Sequence, residues 1–89
     1  MKIKLELFGA SRDFSKKEHL ELEIKDKASV EDLRNIIIQY LNQNFKGNEN
    51  FIKIVKSSAF SSEDNQILSD KYKITKDQKI AIIPPIGGG

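Results

Sequence analysis

Residues 2–8, Lys-Ile-Lys-Leu-Glu-Leu-Phe, alternate between polar and apolar side chains, with Ile3, Leu5 and Leu7 on one face. A period of two belongs to a strand with one buried side. Residues 9–17 form a polar connection, and alternation resumes over residues 19–25, where Leu20, Leu22 and Ile24 turn inward. Two such runs joined by a short loop predict an antiparallel hairpin. After Lys27 the period changes. Val30, Leu33, Ile37 and Leu41 recur at helical spacing, flanked by Ile36 and Tyr40, so residues 30–45 read as an amphipathic helix. Ser29 is placed to cap it, and Asp32 stands three residues on as the second half of a capping box. Gly47 ends the helix in a polar loop, and Ile38, off the stripe, is expected to be partly exposed.

The second half reads as strands again. Ile52 and Ile54 alternate, and residues 55–60 continue as a strand or hairpin arm. Residues 61–65 are turn-rich, Ile67 and Leu68 are expected to return to the core, and residues 75–78 form a turn. Lys79-Ile80-Ala81-Ile82-Ile83 is nearly continuous in apolar character, which suits a central strand covered on both faces. Strand, strand, helix, strand, short elements, strand is the order of an α+β β-grasp: a mixed sheet packed on one main helix, its first and last strands paired centrally. Residues 1–83 are expected to form a single domain, with residues 84–89 as a flexible tail. Many functions share this fold, so it does not by itself assign one.

Composition acts mainly by exclusion. Leu, Ile, Val and Phe supply 27 of 89 residues, above the roughly 20% below which chains fail to fold. Fifteen basic and thirteen acidic side chains leave a net charge of +2. The lysine pairs are interspersed with acids and no basic stripe alternates with aromatics, so neither nucleic acid nor a membrane surface is an expected partner. Without cysteine there is no disulfide, thiolate metal site or thiol nucleophile. The single histidine, His19, cannot build a multi-histidine metal centre, so no metal is expected. No apolar run nears the roughly 20 residues of a membrane span. The alternating, acid-containing start is unlike a secretory leader. The expected compartment is the cytoplasm, and no catalytic acid–base pair stands out.

The prolines and glycines are distributed unevenly. Both prolines and three of the five glycines lie in Pro84-Pro85-Ile86-Gly87-Gly88-Gly89. Pro84 and Pro85 donate no backbone hydrogen bonds and fix φ near −65°, so they end the last strand and stiffen the exit. Beyond them a thread nearly free of side chains, reaching at most about 14 Å, leads to a carboxylate at Gly89. Glycine leaves that carbonyl unhindered and lets the backbone pass through a narrow channel to a buried site. Glycine-rich ends are usually frayed termini. Here the glycines follow a core strand and a double proline, which gives the thread a rigid base.

Two stretches carry a resemblance to a known family. Leu7-Phe8-Gly9-Ala10-Ser11-Arg12-Asp13 resembles Leu-Phe-Ala-x-x-Arg-Glu after strand one. The run from Asp77 to Gly89 resembles Asp-Glu-Val-Ala-x-x-Pro-Pro-Val-small-Gly-Gly, with Gly87 at the small position. Both patterns belong to the MoaD-type small subunit of molybdopterin synthase, within the ubiquitin-like sulfur carriers that include the thiamine carrier. The resemblance spans the whole chain in length and element order. Lys76, Gln78 and a longer stretch over residues 57–73 depart from the pattern, away from the tail.

The resemblance implies that an ATP-dependent activating enzyme adenylates the Gly89 carboxylate and that a sulfur donor converts it to a thiocarboxylate. Gly87 and Gly88 would thread it into the large synthase subunit, where sulfur passes to cyclic pyranopterin monophosphate. The chain would be a sulfur-donor subunit rather than an enzyme, binding no cofactor, monomeric alone and heterotetrameric with its partner. Phe8, Phe60, Pro84, Pro85 and Ile86 are candidates for an apolar patch at the base of the tail, and Arg12 for a pairing with Asp13 or a partner carboxylate. Core packing for Phe8 and Phe60, and a solvated charge for Arg12, are the simpler alternatives. The same tail would also suit a carrier for thiamine, cysteine or tungsten-cofactor synthesis, a protein modifier joined to lysines through Gly89, or a plain interaction module.

Overall fold

A computed structural model describes residues 1–85. Strand β1 (Lys2–Leu7) is followed by a 3-10 turn (Gly9–Phe14) and β2 (His19–Glu23). Helices α1 (Val30–Asn44) and α2 (Glu49–Ser57) come next, then β3 (Ala59–Ser61), β4 (Ile67–Leu68) and β5 (Gln78–Ile83). The sheet runs β2-β1-β5-β3-β4, with β1 and β5 parallel at its centre and the other neighbours antiparallel. This is the mixed β-grasp sheet that the element order predicts.

The alternation of β1 survives in three dimensions. Ile3, Leu5 and Leu7 are buried with Leu20 and Ile24 of the hairpin, Val30, Leu33, Ile37 and Leu41 of α1, and Ile80 and Ile82 of β5. Ser29 caps α1 as the spacing suggests: its Oγ accepts from Asp32 N at 3.1 Å, and Asp32 Oδ2 accepts from Ser29 N at 2.9 Å. The latter bond, first among the causes, holds the Asp32 carboxyl below the usual aspartate pKa. The N–H groups of Val30 and Glu31, which lack partners inside the helix, donate to the carbonyls of Tyr72 and Asp70, each at 3.0 Å. The long stretch before β5 thus serves as a second cap.

Three expectations are corrected. Residues 49–57 form a helix rather than a strand. Asn48 Oδ1 accepts from Asn50 N and Phe51 N at 3.0 and 3.2 Å, and Glu49 and Lys56 complement the helix dipole. Phe51, Ile54 and Val55 recur at helical spacing, facing the core, while Ile52 and Ile54 also satisfy a period of two. Over so short a run the pattern does not discriminate. Next, Ile67 is 68% exposed and only Leu68 packs against the core. Their alternation in β4 places Ile67 on the other face. Finally, β5 is covered on one side only. Ile80 and Ile82 are buried, Ala81 is half-buried and Ile83 is 39% exposed.

One polar side chain organises the region around α2. Arg34 of α1 donates through Nη1 to the carbonyls of Val55 (2.6 Å) and Ser58 (2.8 Å) and through Nη2 to Asp70 Oδ1 (2.8 Å). Its guanidinium carbon lies 4.8 Å from the centroid of the Phe60 ring. A cation at the unsatisfied carbonyls of a helix C-terminus is favourable, so Arg34 fixes where α2 ends and β3 begins.

Candidate functional site

Strand β5 is flanked nearly to its end: β1 pairs it as far as Ile82, in register with Leu7, and β3 as far as Ile83, in register with Ala59. Pro84 then interrupts the ladder because it has no N–H to contribute. Its ring is buried, whereas Pro85 faces solvent. Pro84 lies beside the Gly9 turn: a Cβ added at Gly9 would lie 3.9 Å from Pro84 Cδ and 4.0 Å from Cγ. Gly9 has φ +54°, a left-handed conformation that glycine adopts without penalty. The two resembling stretches therefore meet at one end of the sheet.

The candidate residues separate by burial. Phe8 is 41% exposed, next to Gly9 at the end of β1. Arg12 is also exposed, and among the described residues it forms no ion pair, with Asp13 or otherwise. Phe60 does not join this patch: it is fully buried, in register with Ile82 on the inner face and beneath Arg34. Strand parity explains the correction, since in β3 it is Ala59 and Ser61 that face the other way. Ile86, Gly87, Gly88 and Gly89 lie outside the described residues.

What the one-dimensional reading missed is the outer face of the sheet. Glu6, Phe8, Ser61, Glu63, Lys79, Ala81 and Ile83 are among the residues lining a shallow groove of about 510 Å³ there. Lys79 Nζ lies 3.0 Å from Glu6 Oε1, and this hydrogen bond raises the lysine pKa above its ordinary value. Glu63 Oε1 accepts from Lys79 N at 3.1 Å, satisfying β5 at a position β3 does not reach. One end of the groove is apolar, at Phe8, Ala81 and Ile83, and adjoins Pro84. The other carries fixed charges. The signal for Ile83 was its parity, opposite to Ile80 and Ile82; the continuity of the run concealed it.

Among the described residues, no group of three or more His, Cys, Asp or Glu could hold a metal ion, and no helix is long and apolar enough to cross a membrane. The geometry offers an exposed, partly apolar face beside the exit of the central strand.

No protein-family model and no curated protein sequence matches the chain. Solved structures do. A protein of Pyrococcus furiosus provisionally described as molybdopterin converting factor, subunit 1, is similar over 96% of this chain and 98% of its own, at 18% identity and TM-score 0.69. SAMP1 from Haloferax volcanii is similar over the full length of both chains, at 13% identity and TM-score 0.68. Caldiarchaeum subterraneum ubiquitin is similar over 100% of this chain and 98% of its own, at 19% identity and TM-score 0.61. At such identities the likeness is one of fold. The chain has the ubiquitin-like β-grasp fold, and its structural neighbours include a protein provisionally described as a molybdopterin converting factor subunit.

Proposed function

We propose that this chain is the sulfur-carrier small subunit of a molybdopterin synthase. The carrying observation is the exit of the central strand, where Pro84 lies beside the Gly9 turn and an exposed apolar face and the sequence continues as Pro85-Ile86-Gly87-Gly88-Gly89. The fold shared with the Pyrococcus furiosus subunit supports the same reading. A Gly89 carboxylate oxygen attacks the α-phosphorus of ATP on an activating enzyme, releasing pyrophosphate and leaving an acyl adenylate. A sulfide-level donor then attacks the acyl carbon, AMP departs, and a thiocarboxylate remains. The large synthase subunit docks on the sheet face around Phe8 and Ile83, receives the glycine thread and supplies the acid–base groups for transfer to cyclic pyranopterin monophosphate. The carrier acts in the cytoplasm and binds no cofactor of its own.

The test is an intact-mass measurement after incubation with the activating enzyme, ATP and a sulfur source. Replacement of one oxygen by sulfur at Gly89 is the expected result. No mass change, with tail deletion harmless to partner binding, would sink the carrier reading. Failure of the thiocarboxylated chain to yield molybdopterin with the large subunit and pyranopterin would reassign it to another sulfur pathway. The likeness to Caldiarchaeum subterraneum ubiquitin favours a second reading, a modifier joined to lysine amines through the same activated carboxylate. Lysine-linked conjugates through Gly89 in cell extract would support that one.

A further inference from the structure

Three side chains of different character stand in a row along the outer face of β5: Lys79, Ala81 and Ile83. Alternate residues of a strand share a face about 7 Å apart, so the row runs from charged through small to apolar. Ala81 is its low point. It is in register with Glu6 of β1 and with Ser61 of β3, and the groove of about 510 Å³ opens over it. Exposed Phe8 and Ile83 stand at the apolar end.

The other end holds two carboxylates and one ammonium. Lys79 Nζ lies 3.0 Å from Glu6 Oε1, and Glu63 Oε1 accepts from Lys79 N at 3.1 Å. One ammonium against two carboxylates, 1 − 2, leaves a single negative charge in the groove. Lys4, the next cation on this face, is in register with Glu21 of β2, which offsets it. A carboxylate offers about four lone-pair sites, so both acids keep acceptor capacity beyond their bonds to Lys79.

These features select an occupant. Its body must be apolar enough to lie on Ala81 beside Phe8 and Ile83. Its head must be cationic and must reach one step of about 7 Å along the strand, which takes a long side chain. Two carboxylates on separate elements, with a lysine already between them, suit a planar head bearing several donors. A guanidinium presents five in a fixed fork and is more weakly hydrated than an ammonium, so it is stripped of water at lower cost.

We propose that the groove is the receptor for one arginine side chain of the docking partner, its stem on Ala81 and its guanidinium shared by Glu6 and Glu63. This deepens the carrier reading and rests on it, the partner being the large synthase subunit. The arginine brings the groove to zero net charge. It also fixes where along β5 the partner sits, because a slide of one step sets the guanidinium against Ile83, where no carboxylate meets it.

The test is the sign of three substitutions in the full chain, read as dissociation constants for the large subunit by titration calorimetry at about 0.15 M salt. Glu6→Gln and Glu63→Gln keep an acceptor oxygen toward Lys79 and remove the charge; each weakens binding by about 10-fold. Lys79→Gln removes the competing cation and tightens binding by about threefold. The two acids sit on different elements, so a fold disturbed in one variant leaves the other to decide. Acid variants that bind as well as wild type or better, or a Lys79→Gln that binds worse, overturn the proposal, the last by showing that the partner brings a carboxylate to Lys79. Replacing the arginines of the large subunit by Met one at a time then identifies the occupant. Against one of them, Glu63→Gln binds within about twofold of the wild-type chain; if every replacement leaves the full sensitivity, the occupant is not an arginine. A wild-type chain that does not bind the large subunit removes this proposal together with the carrier reading, whereas binding with the wrong signs removes the arginine site alone.

Discussion

Ile82 and Ile83 are chemically identical neighbours in β5, yet one is sealed in the core and the other has 39% of its surface in solvent. The inner face of that strand, Ile80 and Ile82, shares a core with α1. The outer face, Lys79, Ala81 and Ile83, meets the Glu6 ion pair and the exposed Phe8 ring. Apolar side chains alternate here between holding the fold and offering a surface. Hydrophobicity alone therefore ranks neither role. Parity does, once the side on which the helix packs is known.

Substitutions should separate the two faces. Ile82→Ala leaves a cavity in the shared core and should cost about 2–5 kcal/mol of stability, read as a lower midpoint in urea. A cost near that of a surface change would collapse the distinction between the faces. Arg34→Met removes the bonds to the Val55 and Ser58 carbonyls while keeping the bulk of the stem. We expect a loss of about 1–3 kcal/mol, with exchange of the α2 and β3 amides rising before that of β1. Uniform exchange would mean that Arg34 is not the local tie.

Ser29→Ala should cost about 1 kcal/mol and change the acid limb of the stability profile. Because the Asp32 pKa is lower in the folded state than its ordinary value of 3.8, its contribution is present above that value and lost as pH falls through the lowered one. Asp32→Asn should flatten this limb below about pH 4; an unchanged acid profile would show that the box contributes nothing. Smallest in stability is Ile83→Ser, under about 1 kcal/mol. The same change should weaken association with the large subunit proposed as partner by about 10-fold, worth about 1.4 kcal/mol. An unaltered dissociation constant, by titration calorimetry, would remove the outer face from the interface.

Legibility in the sequence followed the length and purity of each pattern. The hairpin and α1 were readable because each repeats one period over several residues and, in α1, adds a cap. α2 was not: nine residues rich in Ile and Val satisfy both periods, and Asn48, which decides the matter, was read as loop. For the proposed site, the double proline and the glycines stood out in one dimension, and Phe8 and Pro85 are exposed. Phe60 misled because an aromatic shows its size in the sequence but not its side.

The sequence alone determined the β-grasp order, the capped helix and the stop at Pro84, because local periodicity, capping chemistry and the proline ring act between near neighbours. Only the tertiary structure decided that β5 has one open face, that Arg34 joins α1 to the end of α2, and that the Gly9 turn lies beside Pro84. Those neighbours lie 21 to 75 positions apart. They depend on strand register and helix placement, which the packing of the whole core sets.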